Sequence, residues 1–149
     1  MRRLIATLAL LLAATGANAQ TAGQSQTDAL TDLGSTAIGL ALGAAEANPV
    51  GLLTIPLKFV LIDQADKLPD GEKQHAHSVI GSLWHGATVN NVCVIAAIAT
   101  GGAFAPACLV AGVVAGVHRW QSTSMEREFW ALCANLRTEA PELKCVFNG

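Results

Sequence analysis

The chain has 149 residues, of which 52% are hydrophobic and only 13% are charged, with nine Lys/Arg against eleven Asp/Glu. A mildly acidic chain of this kind lacks the basic surface that phosphate backbones require, so nucleic acid is excluded as an expected partner. The same balance argues against electrostatic attraction to anionic lipid head groups.

The first nineteen residues have the three parts of a secretory signal peptide. Arg2 and Arg3 precede an uncharged apolar stretch over residues 4–14, and Ala17-Asn18-Ala19 forms an A-x-A cleavage site. The apolar stretch is too short to cross about 30 Å of hydrocarbon as a helix. The pattern therefore predicts a cleaved signal peptide over residues 1–19, with an uncleaved anchor as the alternative.

Cleavage after Ala19 predicts a periplasmic or secreted protein that begins at Gln20. Residues 20–27 are polar and rich in Gly, Ser, Thr and Gln, which predicts a flexible N-terminal arm. The remaining residues, 28–149, are enough for one helical domain.

Four cysteines lie in the mature part: Cys93, Cys108, Cys133 and Cys145. An even number in an exported protein predicts two disulfides, and three pairings are possible. The local pairing would join Cys93 to Cys108 and Cys133 to Cys145. However, a turn near Gly101 places Cys93 and Cys108 at different heights on their helices, so the pairing stays open here. No metal is predicted, since neither C-x-x-C nor paired histidine spacing is present.

Helical periodicity predicts the following segments: Asp28–Ala47, Val50–Leu68, Glu72 to about Ala99, Ala107–Val117, and a last helix after a Thr123/Glu126 capping box. Pro49 suits a first helical position, and Pro56 must kink the second helix or mark its start. No alternating pattern long enough for a sheet occurs. The predicted fold is all-α, a small bundle of four to five helices with a Gly/Ala-rich central hairpin braced by disulfides.

Small residues recur every fourth position in the hairpin, at Cys108, Gly112 and Gly116. Such spacing lets a neighbouring helix approach closely. It resembles the glycine-zipper hairpins of envelope proteins, over one helix only, and that resemblance implies no function.

Asn90 and Asn91 interrupt an apolar run. A buried amide without a partner costs about 1–3 kcal/mol, so each must find a role. The two could line a small polar binding pocket beside Trp84 and His85, or they could bond to a neighbouring helix and fix its register. The structural role is favoured, because polar pairs commonly join helices.

Histidines, carboxylates and serines give no catalytic set. On a helix His75 and His85 share a polar face about 15 Å apart, and His77 points the other way, so the three cannot share a metal. Carboxylates such as Asp63 and Asp66 are expected to be solvated, and no G-x-S-x-G elbow occurs. No catalytic residue and no cofactor is predicted.

No Lys, Arg, Asp or Glu occurs between Lys73 and Arg119. The stretch could form a buried hairpin inside a soluble bundle, or it could enter a bilayer. Each arm offers about a dozen strongly apolar residues, fewer than the ~20 of a spanning helix, and Gly101, Gly102 and Pro106 break it. These points favour a soluble core in which the protein's own interior covers the stretch.

Three functions follow in order of preference. The first is an exported, non-enzymatic helical protein that binds another cell-envelope or secreted protein. The second is a membrane-associated helical hairpin acting on envelope integrity. The third is a small enzyme with a polar pocket near Trp84–Asn91. The partner and the oligomeric state stay open.

Overall fold

The computed structural model describes residues 21–42, 49–101 and 105–147, and the predicted signal peptide lies outside them. These residues form a small all-α bundle without strands. Its helices are α1 (Thr21–Ala41), α2 (Pro49–Asp66), α3 (Asp70–Ala99), α4 (Ala105–Ser122) and α5 (Ser124–Glu139).

The long helix α3 is the centre of the bundle, and the other four helices all contact it. Helices α1 and α3 run in the same direction, because Ser25 contacts His77 and Asp32 contacts Asn91 further along both helices. Helix α4 runs antiparallel to α3 and is joined to it by the Cys93–Cys108 disulfide, with 5.3 Å between the Cα atoms.

The local disulfide pairing is formed in full. Helix α3 ends at Ala99 and α4 already begins at Ala105, so Cys93 and Cys108 lie within about one turn of the same height. The second bridge joins Cys133 of α5 to Cys145 in the segment that doubles back after the helix. Two disulfides indicate an oxidising environment outside the cytoplasm.

Two predictions are wrong, the flexible N-terminal arm and the capping box at Thr123. Residues 21–27 form the first turns of α1 rather than an arm, because Ser25 is fully buried and bonded to His77. Thr123 does not cap α5: its hydroxyl donates to the Trp120 carbonyl at 3.0 Å, so no capping box forms. Pro49 opens α2 as expected, and Pro56 lies inside that helix.

Polar side chains occupy much of the interior. The apolar core cluster of Ala29, Ile62, Ala65 and Ile80 is small. Around it the buried polar and charged residues are Ser25, Asp32, Ser35, Lys58, His77, Ser78, Ser82, Thr88, Arg119, Thr123 and Glu126. In most soluble domains charged side chains lie at the surface and large apolar side chains lie in the core. In this bundle several charged side chains are buried and many large apolar ones are exposed, so we call its interior inverted.

The expectation that the charge-free stretch lies inside the protein is wrong for its largest side chains. Leu83 and the leucine and valines of α4 are more than half exposed. The reason is that α4 packs on α3 through its small residues, Cys108, Gly112 and Gly116, and this turns its large residues outward.

Candidate functional site

An apolar band covers one half of the bundle. It comprises the exposed large apolar residues of four helices: Leu30 and Ile38 on α1, Leu57, Phe59 and Val60 on α2, Leu83 and Ile98 on α3, and Leu109, Val110, Val113, Val114 and Val117 on α4. The five residues on α4 are each 51–66% exposed. At 1.5 Å per residue, the band is about 12 Å tall along α4 from Leu109 to Val117 and about 26 Å along α3 from Ser82 to Ala99.

Charged side chains avoid the band. Within the stretches of α1 to α4 that form it, the described charged residues are Asp32 and Lys58, and they are buried and paired with each other. The opposite end, called the polar end because it carries the exposed ion pairs, consists of the last turn of α2, the first turn of α3 and helix α5. It also exposes large apolar side chains, namely Met125, Leu132, Leu136, Leu143 and Val146. Here the ion pairs face water, as in Lys67–Asp63 and Arg137–Asp70.

A groove of about 550 Å³ runs along the outside of the α3–α4 pair within the band. Its floor is made by backbone at Gly86, Gly112 and Gly116, where the two helices touch. Its sides are uncharged, and Trp120 closes the end nearer the polar end. The one amide side chain along it is that of Asn90, which has no hydrogen-bond partner among the described residues.

Asn91, by contrast, joins α3 to α1. The two hydrogens of its side-chain nitrogen are shared among three acceptors, Asp32 Oδ1 at 2.9 Å, Thr36 Oγ1 at 3.1 Å and Ser35 Oγ at 3.2 Å. The residue therefore fixes the register of the two helices around the buried ion pair.

The other two residues of the predicted pocket also lie apart. The Trp84 ring has the Lys58 ammonium 4.9 Å from its centroid, a cation–π contact on the α2 side. His85 faces α1, with its Nδ1 3.7 Å from Asp28 Oδ1. The structure does not bring Trp84, His85 and Asn90 together around one cavity.

Asn91→Ala is expected to lower the free energy of unfolding by about 1–3 kcal/mol, because it leaves buried acceptors without their donor. Asn90→Ala, measured on the monomer, is the matched control, since it removes the neighbouring amide without breaking a bond within the described bundle. Urea unfolding in neutral detergent, followed by circular dichroism, compares the two. Equal effects would contradict the register role of Asn91.

Ser25, His77 and Asp66 form a hydrogen-bonded row at the polar end. His77 Nε2 donates to the Asp66 carboxylate at 3.1 Å, and its Nδ1 forms a hydrogen bond with the Ser25 hydroxyl at 2.8 Å. The composition matches that of hydrolase triads, yet Ser25 and His77 are fully buried between helices and no substrate can reach them. The row joins α1, α2 and α3.

The pKa of Asp66 is held below its ordinary value, first by the hydrogen bond from Lys73 and then by the bond from His77. The stability that Asp66 adds is therefore complete above its unfolded-state pKa of about 3.9 and is lost as pH falls through the lower folded value. Asp66→Asn should flatten this acid limb of the unfolding curve. Because Asp66 is well exposed, the effect should be small and should shrink in 1 M salt. An unchanged acid limb in the variant would contradict this role.

Trp120 marks the boundary between the apolar band and the polar end. The Arg127 guanidinium stacks on the ring at 3.5 Å, and His75 meets it edge-on with 5.2 Å between centroids. Burial lowers the pKa of Arg127, whose guanidinium also donates to Ser78 and Thr123 hydroxyls. Tryptophan in such a position is typical of a membrane–water interface.

A scan against protein-family models, a search of the curated proteins and a search of the solved structures each found no match to the chain. Among the described residues, no group of three or more His, Cys, Asp or Glu is placed to hold a metal ion.

One helix of the described part, α3, is long and apolar enough to cross a membrane. The central helix of a soluble protein can pass the same test, but such a helix is mostly buried. In α3 only 33% of the apolar window is buried inside the protein.

Proposed function

We propose that the protein is an exported, non-enzymatic, membrane-associated helical bundle of the cell envelope, whose apolar band lies in the hydrocarbon of a bilayer. This reverses the order of preference reached from the sequence. The observation that carries the proposal is the inversion of the bundle, with large apolar side chains outside and polar and paired charged side chains inside.

An inverted bundle suits lipid because hydrocarbon solvates leucine and valine and excludes unpaired charge. In membranes helices associate through small residues and through hydrogen bonds between polar side chains. Both features are present, in the Gly86–Gly112 contact and in the bonds of Asn91. The ion pair of Asp32 and Lys58 meets the rule that intramembrane charges face the bundle interior and are paired.

The distribution of the band favours lipid over a single protein partner. Exposed apolar side chains lie on α1, α2 and α4, three helices that each pack on the central helix α3. One docked protein would cover one face and leave the others in water, whereas a bilayer covers all of them. The band is shorter than the hydrocarbon core of about 30 Å, more so on α4 than on α3, which fits partial insertion with the polar end in water.

Envelope location follows from the signal peptide together with the disulfides. We infer that cleavage after Ala19 releases the mature chain into the periplasm or its equivalent, where both bridges form and the band inserts. Action on envelope integrity, through lipid packing around the inserted bundle, is the function that this location implies. Mass spectrometry of the native protein tests the cleavage, and an intact residue 1 would contradict it.

Flotation with neutral phosphatidylcholine vesicles tests insertion directly. The mature protein should float with the vesicles, and Val110→Asp should lower its partition coefficient about 100-fold, because a carboxylate within hydrocarbon costs about 3 kcal/mol. Val146→Asp is the matched control: it makes the same change at a valine that is 68% exposed, against 63% for Val110, but lies at the polar end.

A protein that stays at the bottom of the gradient, or loses binding equally in both variants, would contradict the proposal. In cells, alkaline carbonate provides a second measurement. The protein should remain in the membrane pellet, and release into the soluble fraction would exclude an inserted bundle.

A second candidate is the binding of another envelope protein in the α3–α4 groove, which is about three helical turns long and accepts an apolar helix by its shape. A photo-crosslinking residue at Leu83 tests it, with one at the exposed Asn135 as control. A single discrete heterologous adduct from Leu83 alone would support this function, and lipid adducts alone would exclude it.

A further inference from the structure

The amide of Asn90 lines the groove in the apolar band and has no hydrogen-bond partner among the described residues. The indole nitrogen of Trp84 is also unpaired there, but it is buried inside the bundle. Asn90 follows Val79, Leu83 and Ala87 at helical spacing on the outer face of α3, along the groove. Asn91, one residue on, uses its amide nitrogen within the bundle. The two adjacent asparagines thus differ in a way that packing within one chain does not explain.

Depth decides what could pair with Asn90 in an inserted bundle. The residue lies eight positions beyond Ser82, about 12 Å along the axis from the edge of the band. Lipid head groups and bulk water do not reach that depth, and an unpaired amide in hydrocarbon is strongly disfavoured. The partner must therefore be another polar group held in the hydrocarbon by protein.

A second copy of the chain supplies such a group at the correct height. Two copies inserted the same way are related by an axis along the membrane normal, which brings each residue to the same depth as its equivalent. Asn90 would then face Asn90 of the other copy, and each amide can donate to and accept from its counterpart.

The surroundings of Asn90 allow that approach. The floor of the groove beside Asn90 is Ala87 and glycine backbone, and the side chains of Leu83 and Leu109 stand at its rim, so two facing copies would meet through apolar rim residues. The rim residues Val113 and Val117 are β-branched and lose little side-chain freedom when they are covered. The described groove has no charge, so two identical faces do not repel.

We infer that the inserted protein forms a two-fold symmetric dimer through the α3–α4 groove, with the two Asn90 amides hydrogen bonded across the axis. This inference rests on the proposed function, since it is the hydrocarbon environment that requires a partner for the amide. The dimer contact orients the bundles side by side and covers one face of the band, leaving α1 and α2 against lipid.

Energy transfer between donor- and acceptor-labelled copies in phosphatidylcholine vesicles measures this association. The wild type should associate in pairs, with transfer diluted by added lipid. Asn90→Leu should weaken dimerisation about tenfold, as intramembrane polar contacts of this kind contribute. Asn90→Gln keeps an amide and should retain most of the association. Asn135→Leu, at the polar end, should change nothing.

Each failure has a distinct meaning. Wild-type protein that floats with vesicles but stays monomeric overturns the dimer and leaves the proposed function intact. Equal association of Asn90→Leu and wild type overturns the role of the amide. Protein that does not enter vesicles overturns both. Circular dichroism of each variant confirms that the bundle is folded.

Discussion

Lys58→Met is expected to lower the free energy of unfolding by about 3–5 kcal/mol, the largest effect of any single change considered for this chain. Lys58 and Asp32 are each almost fully buried and form an ion pair between α2 and α1. Removing the ammonium leaves the carboxylate buried without a counter-charge, and such an uncompensated charge is far more costly than the loss of the pair itself. The Trp84 ring also loses its cation.

A solvent-exposed ion pair of the same chain serves as the control for the buried pair. Lys67→Met breaks the pair with Asp63, in which the side chains are 62% and 60% exposed, and it should cost no more than about 0.5 kcal/mol. Combining Lys58→Met with Asp32→Leu removes both charges and should recover most of the lost stability. Urea unfolding in neutral detergent gives the three values.

If Lys58→Met were no more harmful than Lys67→Met, the pair would not be buried as described. The inverted interior, and with it the proposed insertion, would then lose its main energetic support. If the double variant were as unstable as the single one, packing rather than charge would explain the loss.

Much of the fold could be predicted because helix periodicity is local. The spacing of apolar residues identified α2, α3 and α4 to within a few residues, and the all-α class followed. The disulfide partners could be narrowed to the local pairing but not fixed, since the height of Cys108 depends on where α4 begins. A start at Ala105 rather than Ala107 reduces the offset to about one turn.

Which residues are buried could not be predicted from the polar and apolar faces of single helices. A helical wheel places Ser78 and Ser82 on a polar face, which suggests solvent, but it does not say which neighbour covers that face. In the structure Ser78 contacts Thr123 of the segment before α5, 45 residues away, and both are buried. Asp32 and Lys58 are likewise 26 residues apart, so their pairing has no local signal.

The candidate site was missed for a related reason. A charge-free stretch shows that water is a poor solvent for it, but the pattern is the same whether protein or lipid takes the place of water. Only the direction of the α4 valines separates the two cases, and that direction is set by the small residues with which α4 packs on α3. The four-residue spacing of Gly112 and Gly116 was the available signal.

Gly86→Ala tests that packing and is expected to lower the free energy of unfolding by about 3 kcal/mol. A Cβ atom at Gly86 would lie 2.7 Å from the Gly112 carbonyl oxygen, and one at Gly112 would lie 2.7 Å from the carbonyl oxygen of Gly86. Because both obstacles are backbone, the methyl group fits only if α3 and α4 move apart, which costs far more than a side-chain shift.

Gly34→Ala is the matched control, since a Cβ there meets nothing within 4 Å in the middle of α1. Alanine is the better helix former by about 0.5–1 kcal/mol, so this variant should be slightly more stable than the wild type. The two substitutions are chemically identical, and their effects on the free energy of unfolding should have opposite signs.

Gly86→Ala should also weaken the dimer, because separated helices no longer form the floor of the groove beside Asn90. Equal stability of the two variants would mean that α3 and α4 do not touch at Gly86, and the outward direction of the α4 valines would need another cause.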